Sequence, residues 1–597
     1  MDNKHYRKRR RRPQSKRRRQ RAIMIKFICI ITIVVGMVAA LFLWNRYSPS
    51  KDKADLNRYY GIEQEDHLAV VVDEKVLDPG AITLEGRAYV EYGLVRDYIN
   101  NRFYWDTEEN ILLYALPDEM VTVGVGKKEY SIARDKKSED YVIVKTEGNT
   151  AYIALDFVKK YTDMEYRTYE EPGRVVVDLK TKTKASKVKK GTQVRYQAGV
   201  KSPVLTDVKK GDYVTIIEDE GDWKKVRTED GFVGYVKKNV LKNPEEMKRE
   251  STYKEPEYEG IAHDYVVNMA WHNVTNADAN NNVLERIAQT KGLTTISPTW
   301  FHVKNTSGDI DSIASGDYVN YVHQANMEVW AAVRDFDGGI SSFEETYELL
   351  RKTSSRENLI NQLISASLQA GIDGINVDFE KVNVECGEHY IQFIRELSIK
   401  CHQNGLVLSV DNYVPQAFNE QYHREEQGKF ADYVIIMGYD EHYSGSPEAG
   451  SVSSYNFVKN GIEKTLEQVP AEKVISAVPF FTRIWKETPK TKEELAEQKG
   501  TEEAEYPNKV ESIAYSMEEA ANAVSQVGAK PKWDKETKQN YAEWKVENST
   551  YKVWLEDKDS LELKLQLIQE YNLAGSAAWR LGQETPDIWE LILKYVN

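Results

Sequence analysis

Cysteine is the scarcest chemistry in this chain: there are 3 in 597 residues. That is too few for a disulfide framework, and with no CxxC pair and no HExxH, structural zinc and zincin-type hydrolysis are both excluded. Cys386 and Cys401 flank one helical pattern, whose rise of roughly 22 Å exceeds the ~7 Å a disulfide spans, so both are read as free thiols. Proline (17) and glycine (34) are also sparse, while hydrophobic residues make up 41% and aromatics 11%. This excludes a collagen-like, disordered or low-complexity chain and leaves material for large cores. The length is several times that of an ordinary domain, which calls for several modules.

Net positive charge is confined to one end. The formal net charge is −13, yet Met1 to Lys26 holds about thirteen Lys/Arg against the single acid Asp2, leaving roughly −25 on the remainder. Ile23 to Trp44 follows, about 22 almost wholly apolar residues, enough to cross a hydrocarbon core of roughly 30 Å. The basic flank is therefore read as topogenic, not as a nucleic-acid arm, and no nucleic acid partner is expected. Basic sequence before the span and acidic sequence after it predict a single-pass cell-membrane protein with a cytoplasmic N-terminus and extracytoplasmic C-terminal domains. A cleaved signal peptide is the alternative. The length of the run and the bulky Leu41-Phe42-Leu43-Trp44, where cleavage wants small residues, argue against it. The expected order opens with a basic arm (1–22), an anchor (23–44) and a linker (45–65).

An internal repeat comes next. Ala88-Tyr89-Val90 through Leu116 aligns without a gap on Ala151-Tyr152-Ile153 through Leu179, a period of 63 residues that matches Val95 with Val158, Tyr98 with Tyr161 and Glu108 with Glu171. Each copy reads as a short strand, a helix and a hairpin, and neither carries an ionisable cluster. This α+β unit (66–182) resembles the stalk repeat at the N-terminus of copper amine oxidases and in Gram-positive surface proteins, which implies a spacer or ligand-binding role and no copper chemistry. From Gly191 to Leu241 short β-runs are joined by Gly-Asp and Asp-Gly turns, the pattern of a small barrel. Lys209-Lys210-Gly211-Asp212, Gly221-Asp222-Trp223 and Asp230-Gly231 followed by Gly234-Tyr235-Val236 make 188–243 resemble the bacterial SH3 domain, which implies binding to peptidoglycan or its stem peptides. An acidic linker (244–259) with Pro244 and Pro256 follows.

In 260–597, β-runs alternate with helical patterns: Tyr265–Ala270, Leu293–Pro298, Val329–Val333, Gly374–Glu380, Leu406–Val410, Tyr433–Met437, Val474–Val478 and Ala574–Trp579. Eight runs with intervening helices predict an α/β fold, the (β/α)8 TIM barrel. The long gap between runs seven and eight predicts an inserted α+β subdomain, 486–556, forming one wall of the cleft.

Run four reads Asp373-Gly374-Ile375-Asn376-Val377-Asp378-Phe379-Glu380. Alternation along a strand puts Asn376, Asp378 and Glu380 on the inner face, with Glu380 at the C-terminal mouth where such barrels place their sites. A hydrogen-bonded strand end or a metal site are the other readings of this cluster. Two adjacent buried carboxylates without a cation raise one pKa and leave a proton donor near neutrality.

The octapeptide resembles the DxxDxDxE signature of glycoside hydrolase family 18, the chitinase and endo-β-N-acetylglucosaminidase family. Met437-Gly438-Tyr439-Asp440 is similar to that family's MxYD, Ala477-Val478-Pro479-Phe480 to its strand-seven element, and Trp579 to the Trp flooring the sugar site. The resemblance implies substrate-assisted, retaining hydrolysis of β-1,4-linked N-acetylglucosamine glycans without cofactor or metal. The substrate's acetamide oxygen attacks the anomeric carbon while one acid protonates the leaving oxygen. On this basis Glu380 would be the acid, Asp378 would hold the acetamide N–H and stabilise the oxazolinium, and Tyr439 would hydrogen-bond the acetamide. Trp579, Asn376, Asp440, Met437 and Trp300 would contact sugar, and Asp373 would support the strand. Two departures stand out. Asn376 replaces the family's second Asp, so Asp378 must find another partner. Strand three, Ala331 to Gly339, lacks the SxGG of true chitinases and is similar to spore cortex and cell-wall N-acetylglucosaminidases of Gram-positive bacteria. Peptidoglycan is the expected substrate, with chitin, other glycans, or a non-catalytic saccharide-binding role as alternatives.

Overall fold

A computed structural model describes residues 14–64, 66–498, 500–501 and 505–596. Residues 1–13 of the expected basic arm lie outside the described residues. Gln14–Tyr47 is one helix of 34 residues, and Arg18–Tyr47 is long and apolar enough to cross a membrane. The rest divides into two compact units: residues up to 100 with 147–254, and 101–146 with 255–597.

The second unit is built on eight parallel strands: β1 (Val267–His272), β2 (Thr295–Val303), β3 (Glu328–Arg334), β4 (Gly374–Asp378), β5 (Val407–Tyr413), β6 (Tyr433–Met437), β7 (Val474–Pro479) and β8 (Gly575–Trp579). Each pairs with the next, and β1 pairs in parallel with both β2 and β8, so the sheet closes into a (β/α)8 barrel. The near-continuous Val/Ile/Ala content of these strands fits burial on both faces. One face fills the barrel with Met269, Trp271, Trp330, Tyr433 and Ile435. The other packs Ile296, Val329, Ile375 and Val434 under the helices. Gly374 is required where it stands: a Cβ there would lie 2.7 Å from Trp330 Cδ1 and 2.9 Å from the Val407 carbonyl oxygen. β4 therefore sits close between β3 and β5.

Between β7 and β8 the chain forms a five-stranded antiparallel sheet in the order Asn508–Ser516, Phe481–Pro489, Ser549–Leu555, Gln539–Val546, Lys532–Asp534, with the helix Met517–Gln526 packed on it. Its last strand leads to Glu556, which is buried against Lys564 at 2.6 Å. Burial pushes that carboxyl up, the Lys564 ammonium opposes the rise, and the balance lies at about 7.

The first unit joins two sheets. Strands Glu165–Tyr169, Arg174–Asp178, His67–Val72, Lys75–Leu84, Arg87–Glu91 and Thr150–Ala154 follow one another in one sheet, and the small barrel between Lys182 and Lys248 forms the other. They share a core in which Val71 and Val176 meet Val194, Val226 and Phe232. Arg174 ties the two together, with Nε donating to the Asp230 carbonyl at 2.6 Å and Nη2 to the Asp230 carboxylate at 3.1 Å.

The segment 66–182, read from the repeat as one unit, is divided. Both copies fold as strand, helix and hairpin. The second hairpin (Glu165–Tyr169 with Arg174–Asp178) joins the sheet of the first unit. The first hairpin (Phe103–Asp106 with Ile111–Ala115) instead opens a five-stranded meander, Phe103 to Ser138, in the barrel unit. The reason is a set of polar side chains that the second copy lacks. Arg102 Nε donates to Glu426 at 2.9 Å, and Arg395 donates to the same oxygen at 2.8 Å. Asp106 accepts from the backbone N–H of Thr353 at 2.6 Å and from its hydroxyl at 2.7 Å. The helix Thr353–Ala370 has no side-chain cap of its own, so a carboxylate from the meander satisfies its N-terminal donors.

Glu426 is the anion that holds this contact. Burial would raise its carboxyl, but Arg395 and Arg102 bring it from 4.5 down to about 2. Its contribution is therefore complete above pH 4.5 and is lost as pH falls towards 2. Glu426→Ala removes the anion shared by two buried guanidiniums and is expected to destabilise the barrel unit by about 3–5 kcal/mol, read as a lower urea midpoint at neutral pH with a gap that closes in acid.

Candidate active site

A cleft of about 620 Å3 opens at the C-terminal mouth of the barrel, lined among others by Trp271, Arg334, Asp378, Glu380, Asp411, Tyr413, Met437, Tyr439, Asp440 and Trp579. A larger depression of about 870 Å3 in the first unit gathers Tyr59, Tyr98, Tyr196 and Tyr235, but no buried acid lines it.

Asp378 ends β4, and Glu380 lies two residues on, past the last ladder pair of β4. Its backbone position is set by Asp335, just beyond β3. Asp335 Oδ1 accepts the Glu380 N–H at 2.7 Å, and Oδ2 accepts the Lys381 N–H at 2.8 Å and the Thr346 hydroxyl at 3.0 Å. Burial pushes the Asp335 carboxyl up and those backbone donors hold it back, to about 6. The Tyr413 hydroxyl donates to Glu380 Oε2 at 2.8 Å. Burial raises the Glu380 carboxyl above its ordinary range even so, with the Tyr413 hydrogen bond opposing the rise. Asp378 and Asp411 are raised further still, by burial first, then by the charges around them. Arg334 is the cation of the cleft and partly offsets the rise at both Asp378 and Glu380.

Tyr439 is half-buried, packed against the barrel core. Burial, then the charge of Asp378, raises its phenol well above 10, so it stays a neutral donor at any working pH. Asp440 adopts a left-handed φ of 58°. The residue is exposed at the mouth, and desolvation of its carboxyl by the cleft around it lifts the pKa to about 6, with Arg483 opposing. Trp579 tilts against Trp271 at 6.0 Å. Met437, Tyr439, Asp440 and Trp579 are thus brought together with Asp378 and Glu380.

Three expectations are corrected. Asn376 does not face the cleft. It is fully buried, accepts from Trp271 Nε1 at 2.9 Å and from Ser297 Oγ at 3.3 Å, and donates to Ser409 Oγ at 3.0 Å and Asp411 Oδ1 at 2.8 Å. With every polar atom engaged it supports the floor and has none left for sugar. Trp300 lies in the core: it shares the outward face of Ile296 on β2, donates to Asn280 Oδ1 at 2.8 Å and packs edge-on against Tyr318. The insertion does not wall the cleft, since none of the described residues of 486–556 lines it. It reaches the region only through its first strand, where Phe481 packs edge-on against Tyr439 at 6.2 Å. Asp373 sits at the far end of β4, accepting from His323 Nε2 and from the Val329 N–H, both at 2.8 Å, as strand support.

Sequence reasoning missed Trp271, Arg334, Asp335, Asp411 and Tyr413. A signal for two of them was present. Ser409, Asp411 and Tyr413 alternate along β5 as Asn376, Asp378 and Glu380 alternate along run four, and polar residues at every second position of a barrel strand face inward.

A closed barrel with a half-buried, protonatable glutamate beside a second carboxylate and an aromatic floor has the parts of a glycosidase site. Residues 265–584 match the family model "Glycosyl hydrolases family 18", and 190–242 match the bacterial SH3 domain. The chain belongs to glycosyl hydrolases family 18. It is 25% identical over 302 residues to the uncharacterized glycosylase YvbX of Bacillus subtilis (strain 168), a match covering 48% of this chain and 80% of that protein. To the cortical fragment-lytic enzyme of the same organism it is 28% identical over 257 residues, covering 42% of this chain and 56% of that one. It thus spans little more than half the length of the latter. Among solved structures, the spore cortex-lytic enzyme SleL of Bacillus cereus aligns at 19% identity with a TM-score of 0.48, covering 65% of this chain and 89% of that one. The chitinase of Chromobacterium violaceum ATCC 12472 aligns at 21% with 0.47, covering 55% and 98%.

Because Asp335 fixes the backbone that carries Glu380, Asp335→Ala is expected to lower kcat by about 10²-fold through misplacement of the acid, while Thr346→Val, which removes only the third donor, costs far less. Steady-state kinetics with a melting curve on each variant checks this.

Proposed function

We propose that this chain is a membrane-anchored, extracytoplasmic glycosidase that cleaves β-1,4-linked N-acetylglucosamine glycan in peptidoglycan by substrate-assisted, retaining hydrolysis. The observation that carries the chemistry is Glu380: a half-buried carboxyl raised above its ordinary range, held by Asp335 and Tyr413, beside Asp378 and Tyr439 in one cleft. Glu380 protonates the glycosidic oxygen as the acetamide oxygen attacks the anomeric carbon. Asp378 takes the acetamide N–H and balances the oxazolinium charge, and Tyr439 donates to the acetamide. Trp579 stacks under the apolar face of the sugar. Water then opens the oxazolinium with Glu380 as base, so configuration is retained.

Three features support peptidoglycan over chitin. The chain carries a bacterial SH3 domain, one relative is a cortical fragment-lytic enzyme, and the N-terminal helix has the length and composition of an anchor. In this reading residues 23–44 hold the protein at the cell membrane, the repeat unit is a spacer, and the SH3 domain engages the wall. Protease added to intact protoplasts is then expected to digest everything beyond Trp44 and leave the anchor in the membrane fraction. Mature protein free in the medium and starting near residues 40–50 would mean a cleaved signal.

Glu380→Gln keeps shape but removes the proton, so hydrolysis is expected to fall by at least about 10²-fold with glycan binding retained. Tyr439→Phe loses one oriented hydrogen bond, on the order of 2–4 kcal/mol of transition-state stabilisation. Because the acid must be protonated, kcat/KM declines as pH rises through the raised Glu380 pKa. Proton NMR of the first product should show the retained anomer, with competitive inhibition by a 2-acetamido thiazoline. An inverted product would mean that Asp378 activates water instead.

A further inference from the structure

The floor of the cleft contains a carboxylate for which the reading above has no use. Asp411 lies on β5, which runs parallel to β4 with Asn376 opposite Ser409 and Val377 opposite Val410. The next rung sets Asp378 beside Asp411 on strands about 4.8 Å apart, and both side chains line the cleft. Two rungs further, the same offset brings Tyr413 to its hydrogen bond with Glu380. Both aspartates are buried, at 7% and 2% exposure, and each keeps one oxygen without a partner: Asp378 Oδ1 and Asp411 Oδ2. The other oxygen of Asp411 is fixed by Asn376 Nδ2 at 2.8 Å. Asn376 cannot take up a proton, and its own oxygen is occupied by Trp271 and Ser297.

Two adjacent buried carboxylates cannot both ionise at neutral pH, and a shared proton removes the conflict. Resting on the role assigned above to Asp378, we propose that Asp411 is the positioning residue that stores the proton of Asp378 during turnover. In the resting cleft the pair holds one proton between Asp378 and Asp411 Oδ2. When Asp378 turns to accept the acetamide N–H, the proton stays on Asp411, leaving Asp378 the anion that faces the oxazolinium. When water has opened the ring and product leaves, the proton is shared again. No bond other than O–H is made or broken, and the charge of the pair is −1 throughout. Asn376 orients Asp411 so that its free oxygen is the one offered to Asp378. The carboxylate that the DxxNxDxE motif lacks on β4 is thus supplied one strand over.

The test uses the detergent-solubilised full chain, with chitotetraose and purified peptidoglycan as substrates. Asp411→Asn keeps volume and a hydrogen-bond partner for Asn376, yet is expected to lower kcat at least about thirtyfold with KM within about threefold. The double variant Asn376→Asp/Asp411→Asn returns a carboxylate to the neighbourhood of Asp378 and is expected to recover at least about tenfold of that loss. A merely structural Asp411 predicts little effect of the isosteric change and no recovery in the double variant, and either result in protein of unchanged melting temperature overturns the proposal. A second readout is independent of turnover. In the Glu380→Gln background the infrared difference spectrum at neutral pH, without minus with Asp411→Asn, should contain one protonated-carboxyl band above the contribution that Glu556 makes to both proteins, and a difference spectrum without that band overturns it. Wild-type protein inert on both glycans would sink the glycosidase reading, while the infrared result still decides the shared proton.

Discussion

Asp378, Glu380 and Asp411 face one cleft, with Arg334 the cation that holds down the pKa of both Asp378 and Glu380. The cost of burying like charges governs the surrounding structure. It keeps Glu380 a proton donor, and it ties Glu380 Oε2 to Tyr413 and Asp411 Oδ1 to Asn376. It also explains why the floor is a hydrogen-bonded lattice of Trp271, Ser297, Asn376 and Ser409 where a barrel interior would ordinarily be apolar. Asp335 extends the same logic to the backbone: this buried carboxyl accepts from two amide N–H groups, which locks the turn that carries the acid.

Much of this was legible in the sequence because its signals are local. Eight hydrophobic runs with helical spacers announced the barrel, and the alternation in Asn376-Val377-Asp378-Phe379-Glu380 placed the acid at the mouth. What escaped depends on neighbours distant in sequence. Trp300, just past the second run, was expected to contact sugar. β2 carries a bulge between Thr299 and Phe301, and Trp300 shares the parity of Ile296, so it goes to the helices. Asn376 faces inward as alternation requires, yet Asp411 and Ser409 on β5 consume its amide before any sugar arrives.

The repeat teaches a related lesson. Two segments alike enough to align without a gap fold into the same local pieces and still end in different compact units. Pattern specified strand, helix and hairpin in both copies. Destination was specified by a few polar residues of the first copy, Arg102 and Asp106 among them, which found charged and unpaired partners on the helices of the barrel. Local propensity and tertiary address are written in different residues.

That address has a consequence for how the chain is made. Arg102 and its partner Glu426 are separated by 324 residues, and Asp106 and Thr353 by 247. Synthesis runs from the N-terminus, so the meander emerges long before the helices it caps, while the whole of 147–254 is completed in between. The first unit can close on itself as soon as Lys254 has appeared, whereas the meander must wait with a buried-type arginine and aspartate still in water. Nascent protein therefore passes through a stage in which one unit is finished and the other holds an orphaned sheet, and closure of that long loop belongs to the slow end of folding.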